Sequence, residues 1–202
     1  MDTLRCPLPG CSEDLDAFGD HLVCCAHNHT TRRHNALRDA WAGLLRSAAI
    51  PHQREVVATC CFRPADILLE GWNSGEDVAV DITISHPMSA ANYPLMPECA
   101  ARHLKVKEVN KRRKHAATCR HVRWACHPAA YSPWGGQGPL AGSLLREVSK
   151  RAGADGTSWT RRARAGEMRQ HLSLTLMREV ARQLDARCLL ADQLDAIAQA
   201  RA

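Results

Sequence analysis

The stretch that decides the fold is "RPADILLEGWNSGEDVAVDITIS", residues 63–85. From Val78 to Ile84, apolar residues alternate with small or polar ones, which is the two-residue period of a strand with one face on a core. A second apolar run follows Asp66, and the Asn-Ser-Gly sequence between the two runs predicts a hairpin turn. The hairpin would place two carboxylates, Asp66 and Asp81, on neighbouring strands of a basic protein.

The 202-residue chain is long enough for one domain with a hydrophobic core and a small additional module. No apolar stretch has the length that crosses a bilayer, and the N-terminus lacks the profile of a secretory signal. We therefore expect no membrane partner and an intracellular protein whose ten cysteines are reduced or bind metal. The formal net charge of +6 favours a polyanionic partner, but this is weak evidence by itself.

The order of patterns along the chain predicts an α/β fold. An amphipathic helix with Leu37 and Trp41 on its apolar face ends before Pro51. Strands around residues 54–58 and in the hairpin precede a helix from about 97 to 119, and a further strand follows it. The chain thus divides into a zinc knuckle, an α/β core and a helical C-terminal extension, at residues 1–31, 32–140 and 141–202.

Four residues near the N-terminus have a spacing that suits zinc. Cys6, Cys11, His21 and Cys25 form the pattern C-x₄-C-x₉-H-x₃-C, and zinc prefers four such ligands in a tetrahedron. A segment this short buries too little surface to fold alone, so a metal would explain its order. Two alternatives stay open: the thiols are scattered and reduced, or Cys24 replaces Cys25 as the fourth ligand.

The two hairpin carboxylates could hold a divalent cation. Hydrolysis of a phosphodiester by Mg²⁺ or Mn²⁺ needs carboxylate oxygens that converge from adjacent elements. Asp66 and Asp81 meet this need if their strands pair, and Glu55 in the preceding strand is a candidate third acid. The alternative is that Asp66 caps a turn and Asp81 faces solvent on a half-exposed strand.

A basic helix follows the hairpin. Between residues 102 and 123 there are nine Lys or Arg and one acid, Glu108. Lys107, Lys111 and Lys114 are spaced to share one helical face, roughly opposite Val106 and Val109. A lysine beside the metal could orient the attacking water and stabilise charge on the phosphorane, whereas the simpler reading is a solvated helix face.

These motifs together resemble the PD-(D/E)xK nuclease superfamily, and more narrowly the restriction-like endonuclease domain of site-specific non-LTR retrotransposon proteins. That family has a zinc knuckle, an Arg-His-Asn sequence, an Arg-Pro-Asp-like strand, a second Asp and a K-x-x-K-Tyr helix. The corresponding segments here are 6–25, 33–35, 63–66, Asp81 and 111–115. The similarity covers residues 6 to about 138, including the Gly-rich loop "WGGQG".

The sequence departs from the family pattern at three positions. Thr83 stands where the superfamily usually has its lysine, and Lys111 matches the related domains that carry this lysine on the following helix, with Lys114 next. His115 replaces the tyrosine of the helix motif. Ala65 is an extra residue between the proline and the first aspartate.

The resemblance implies a restriction-endonuclease-like mixed sheet and metal-dependent cleavage of DNA that leaves a 3′-hydroxyl for reverse transcription. It further implies retroelement RNA and a reverse transcriptase domain as partners, and a nuclear location in a eukaryote. The implied catalytic residues are Asp66, Asp81, Glu55, Lys111 and Lys114. The implied nucleic-acid-binding residues are Arg33, His34, Arg63, Lys107, Arg112, Arg113 and His115. The rival hypothesis is a zinc-containing nucleic-acid-binding module that keeps this fold but has lost catalysis.

Overall fold

The computed structural model describes residues 5–16, 20–25, 27, 30–57, 65–87, 100–153 and 158–200. The helices are α1 (Asp20–Cys24), α2 (Thr30–Ser47), α3 (Ala100–His121), α4 (Pro139–Arg151) and α5 (Ser158–Ala200). The strands are β1 (His52–Arg54), β2 (Ile67–Asn73), β3 (Glu76–Ile84) and β4 (Trp124–Tyr131). None of the described helices combines the length and apolarity needed to span a membrane.

The predicted hairpin is confirmed as β2 and β3, which pair antiparallel with Ile67 opposite Val80. Its turn is the two-residue Ser74-Gly75, where both residues have positive φ angles, of 52° and 96°. This backbone twist matches that of the flanking strands, so the turn fixes the register of the pair. A bulge at Gly71, whose amide donates a hydrogen bond to Asp77 Oδ1, then shifts the register between Leu69 and Asn73.

The four strands form one mixed sheet in the order β1-β2-β3-β4. The first three strands are antiparallel, and β4 runs parallel to β3 because α3 crosses over between them. Strand β1 ends earlier than expected, since Glu55 has a φ of 53° and leaves the extended conformation; residue 58 lies outside the described residues. The prediction of a mixed α/β fold with flanking helices is confirmed.

The larger hydrophobic core lies between one face of the sheet and helices α2, α4 and α5. The alternating residues Val78, Val80 and Ile82 of β3 point into it. Leu145 of α4 and Leu172 of α5 are fully buried in the same core, so the predicted C-terminal extension shares its core with the sheet. The opposite sheet face carries α3, with a small cluster around Leu68, Ala79 and Cys119.

Candidate metal centre and carboxylate cleft

The four predicted zinc ligands lie together, with one ligand atom of each within 4.8 Å of all the others. Cys6 Sγ lies 3.9 Å from Cys25 Sγ, Cys11 Sγ lies 3.6 Å from Cys25 Sγ, and His21 Nε2 lies 3.4 Å from Cys11 Sγ. Ligand atoms of a regular tetrahedral zinc site lie roughly 3.5–3.8 Å apart, given Zn–S bonds of about 2.3 Å and Zn–N bonds of about 2.0–2.1 Å. The Cys3His cluster could therefore hold a zinc ion with little rearrangement.

Local hydrogen bonds hold these ligands in position. The carboxylate of Asp16 accepts from the amides of Asp20, at 3.0 Å, and His21, at 2.6 Å, and so caps the start of α1. A turn at Gly10, with a φ of 82°, brings the amide of Cys11 to the carbonyl of Leu8, at 3.0 Å. The helix cap at Asp16 and the turn at Gly10 thus position Cys6, Cys11 and His21 around one common point.

The structure separates the two adjacent cysteines at the end of α1. Cys25 is buried and belongs to the cluster, whereas Cys24 does not. Among the described residues, Cys25 is therefore the fourth member of the set.

A buried arginine of α5 faces the cluster. Arg187 is 4% exposed and interacts electrostatically with all three cluster cysteines, while burial lowers the pKa of its guanidinium. Its two Nη atoms are buried and have no hydrogen-bond partner among the described residues. Three thiolates around Zn²⁺ carry one net negative charge, so the guanidinium of Arg187 would compensate it.

The two hairpin aspartates open onto one cleft of about 460 Å³, where the start of α2 approaches β3 and α3. The residues that line the cleft are Thr30, Thr31, Arg33, His34, Asp66, Asp81, Ile82, Thr83, Ile84 and Lys111. Strand pairing explains this convergence, because the amide of Asp66 bonds the carbonyl of Val80 at 2.9 Å. Asp66 and Asp81 therefore leave the hairpin on the same face, towards α3.

The first carboxylate is held by two protein donors. Asp66 Oδ2 accepts from the backbone amide of Ile82 at 2.6 Å, and Asp66 Oδ1 lies 3.0 Å from His34 Nε2. The histidine belongs to the first part of α2, so the Arg-His-Asn motif reaches the sheet through this contact. These two bonds fix the orientation of the carboxylate at the cleft.

The second carboxylate contacts two basic side chains of α3. Lys111 Nζ lies 3.0 Å from Asp81 Oδ1, and His115 Nε2 lies 3.6 Å from Asp81 Oδ2. Burial raises the pKa of Asp81, the charge of Lys111 opposes this shift, and the nearby Asp66 adds to it. Burial likewise lowers the pKa of His115. Asp81 Oδ2 is buried and has no hydrogen-bond partner among the described residues.

Several predicted site residues lie elsewhere. Glu55 is exposed, pairs with Arg38 of α2 and does not line the cleft. Arg33 reaches the edge of the cleft but is 5% exposed, and its Nη1 lies 3.4 Å from the carbonyl of Val23. Arg63 lies outside the described residues.

The remaining basic residues of α3 fall into two groups. Arg112, Arg113 and Lys114 are exposed, and Lys107 is half-buried. The side chains expected opposite the lysines, Val106 and Val109, are also exposed, at 42% and 46%. The valines therefore do not form a buried face; α3 packs against β4, and its buried side chains are His103, Leu104, Glu108, His115 and Cys119.

Sequence reasoning assigned no role to Glu108, which is 1% exposed. Its Oε1 accepts from the amides of Ala130, at 3.3 Å, and Ala141, at 3.0 Å, and its Oε2 accepts from Leu140 at 3.0 Å. The carboxylate thus satisfies free amides at the start of α4 and bonds the end of β4. The available signal was that this is the one acid in a strongly basic helix.

The chain matches no protein-family model, and comparison with curated proteins and with solved structures finds no match. The resemblance to a restriction-like endonuclease domain therefore stays a prediction from the motifs. The geometry defines a Cys3His cluster suited to a metal and, separately, a cleft with two carboxylates and a lysine. A carboxylate pair with an adjacent amine has the chemistry to bind a hard cation and to stabilise a developing negative charge.

Proposed function

We propose that the chain is a divalent-metal-dependent endonuclease of restriction-endonuclease-like fold that cuts a DNA phosphodiester and leaves a 3′-hydroxyl. The observation that carries the proposal is the convergence of Asp66, Asp81 and Lys111 on one cleft, with Lys111 Nζ at 3.0 Å from Asp81. These three residues come from three separate segments of the chain and are among the five that the motifs assign to catalysis. A shared catalytic role explains this convergence more simply than chance does.

The donor set fits Mg²⁺ or Mn²⁺. Asp81 Oδ2 is buried without a hydrogen bond among the described residues, and its basic neighbour His115 lies 3.6 Å away, so this oxygen has a lone pair available for a cation. Asp66 offers the second carboxylate, held in orientation by His34 and the Ile82 amide. A bound divalent cation would supply a water of lowered pKa and would polarise the phosphate.

Lys111 and His34 have separate roles in this proposal. The ammonium of Lys111 orients the attacking water and stabilises the charge that develops on the phosphate oxygens. His34 positions Asp66 through the contact of 3.0 Å between Nε2 and Oδ1. Lys114 is exposed one turn further along α3, where it and the neighbouring arginines would contact the DNA backbone.

The proposal also defines the biological setting. Cleavage that leaves a 3′-hydroxyl would prime reverse transcription, so the chain would serve as the target-cutting module of a retrotransposon. Its partners would then be target DNA, retroelement RNA and a reverse transcriptase domain, and in a eukaryote it would act in the nucleus. This setting rests on the motif resemblance alone.

The test is nicking of supercoiled plasmid DNA with Mg²⁺ or Mn²⁺ by the wild type, Asp66→Asn and Asp81→Asn. Glu70→Gln is the matched control, because Glu70 is an exposed acid of the same sheet outside the cleft. Metal dependence is checked by leaving out the divalent cation rather than by adding EDTA, since a chelator would also remove zinc from the Cys3His cluster. Full activity of Asp81→Asn would refute the proposal.

A second candidate is the zinc-containing DNA-binding module without catalysis. It is favoured by the contacts in the cleft, where both oxygens of Asp66 and Asp81 Oδ1 already bond protein groups. This candidate predicts salt-dependent DNA binding by the wild type without nicking under any divalent cation. Nicking that depends on Asp66 and Asp81 would exclude it.

A further inference from the structure

Helices α4 and α5 enclose a groove of about 570 Å³ that no motif of the sequence indicated. The groove is lined by Arg146, Lys150, Arg161, Arg162, Ala165, Gly166 and Arg169. Five of these seven residues are cationic, and the other two are small. The groove therefore lies between two rows of positively charged side chains, one row from each helix.

These charges are largely uncompensated within the protein. Lys150 pairs with Glu147 at 3.3 Å, but no carboxylate of the described chain lies within 4.0 Å of the guanidinium of Arg146, Arg162 or Arg169. The positive potential of such a cluster attracts anions. The arrangement points to a ligand that carries several negative charges.

The groove extends along the loop that follows β4. A second cavity of about 430 Å³ shares Arg146 and Arg169 with the groove and extends it along the Gly-rich loop at residues 135–138. That loop follows β4, whose last residue, Tyr131, pairs with Ile84 at the end of β3. Ile84 lines the carboxylate cleft, so this loop and the cleft both lie at the C-terminal ends of β3 and β4.

We propose that the α4–α5 groove binds the sugar–phosphate backbone of duplex DNA. Along α5 the cations run from Arg161 to Arg169, which is about 12 Å at 1.5 Å per residue and matches roughly three to four phosphates of one strand. The groove is concave and is lined by no large apolar side chain, unlike a surface that inserts into a membrane. The choice of DNA as the nucleic acid rests on the proposed function, whereas the binding is separable from cleavage.

Gly166 offers a direct test, because a side chain added there meets no heavy atom within 4 Å. Gly166→Glu would place a carboxylate between the cations, and Gly166→Gln is the neutral control of nearly equal size. The assay is fluorescence anisotropy of a short labelled DNA duplex without divalent cation. We expect Gly166→Glu to bind at least about fivefold more weakly than Gly166→Gln, which is the effect of one charge at contact distance in water.

A second measurement counts the phosphates contacted. Arg162→Ala/Arg169→Ala should lower the slope of log K against log salt by about 1.8, because each lost phosphate contact removes about 0.9. The matched control is Arg46→Ala/Arg178→Ala, which removes two exposed arginines outside the groove. Thermal unfolding and zinc content establish that every variant is folded.

The proposal is overturned if the groove variants bind duplex DNA as their controls do, or if both arginine pairs lower the slope equally. It is also overturned if the groove variants lose binding to phosphatidylserine vesicles or to single-stranded RNA while duplex binding is unchanged. Failure of the proposed nuclease is distinguished by the plasmid assay. A wild type that does not nick DNA, with weakened binding by Gly166→Glu, leaves the groove in place and removes only the catalytic proposal.

Discussion

Replacing one of two adjacent cysteines tests the Cys3His cluster most sharply. Cys25→Ser removes a sulfur that lies 3.6 Å from Cys11 Sγ and 3.9 Å from Cys6 Sγ. Cys24→Ser makes the same chemical change one residue earlier, at a thiol outside the cluster. We therefore expect Cys25→Ser to bind zinc more weakly and Cys24→Ser to bind about one zinc per chain with the wild-type affinity.

The size of the effect follows from the number of ligands. Structural zinc sites bind with apparent free energies of about 10–16 kcal/mol, which is roughly 2.5–4 kcal/mol for each of four ligands. Loss of one thiolate should therefore weaken zinc binding by about 10² to 10³-fold. The loss also removes the net negative charge that faces Arg187, so an arginine that is 4% exposed would lose its compensating partner.

The assay is competition for zinc against a chromophoric chelator, with elemental analysis of the purified proteins. Thermal unfolding should show a lower melting temperature for Cys25→Ser than for Cys24→Ser, because bound metal stabilises only the folded state. Equal zinc affinities of the two variants would refute the assignment. Loss of zinc by Cys24→Ser alone would move the fourth ligand to Cys24.

Three further predictions concern the acids. Glu55→Gln should nick plasmid at the wild-type rate, because Glu55 pairs with Arg38 outside the cleft; a loss as large as that of Asp81→Asn would place Glu55 at the metal. Burial raises the pKa of Asp81, so its stabilising contribution is present below the pKa of an unfolded aspartate and is lost as pH rises through the raised folded value. The melting temperature of Asp81→Asn relative to the wild type should thus increase from acidic to neutral pH, and a constant difference would contradict this. Glu108→Gln should cost about 2–3 kcal/mol in urea unfolding because it weakens charge-assisted bonds to three amides, whereas the exposed Glu167→Gln should cost little; equal effects would deny the capping role.

The hairpin and the meeting of its two carboxylates could be predicted from local patterns. Alternation fixes which residues of β3 point into the core, so Asp81 had to point to the other face once Val80 and Ile82 were assigned to the core. The turn alone would have put Asp66 opposite Thr83; the bulge at Gly71, which the sequence pattern did not indicate, shifts the register and brings Asp66 beside Asp81. The Cys3His cluster was equally local, because its spacing and turn residues lie within twenty residues of sequence.

The features that the sequence patterns did not predict are those that depend on tertiary packing. The lysine spacing on α3 does not indicate which face of the helix packs against the sheet, because that face is set by buried residues such as His103, Glu108 and Cys119. Glu55 left the strand through a positive φ angle that no residue pattern signals. The α4–α5 groove depends on how two helices pack across a break in the sequence, which periodicity alone does not specify.

The bonds of Glu108 have a consequence for the chemistry one turn away. Lys111 follows Glu108 by three residues on α3, so any rotation or sliding of that helix would break the amide bonds to Leu140 and Ala141. The orientation of a lysine on a strand is fixed by the pairing of the sheet. The orientation of a lysine on a helix depends on contacts that fix the position of the whole helix. The buried glutamate acts as that anchor, and it couples the placement of the amine to the helix that forms one wall of the basic groove.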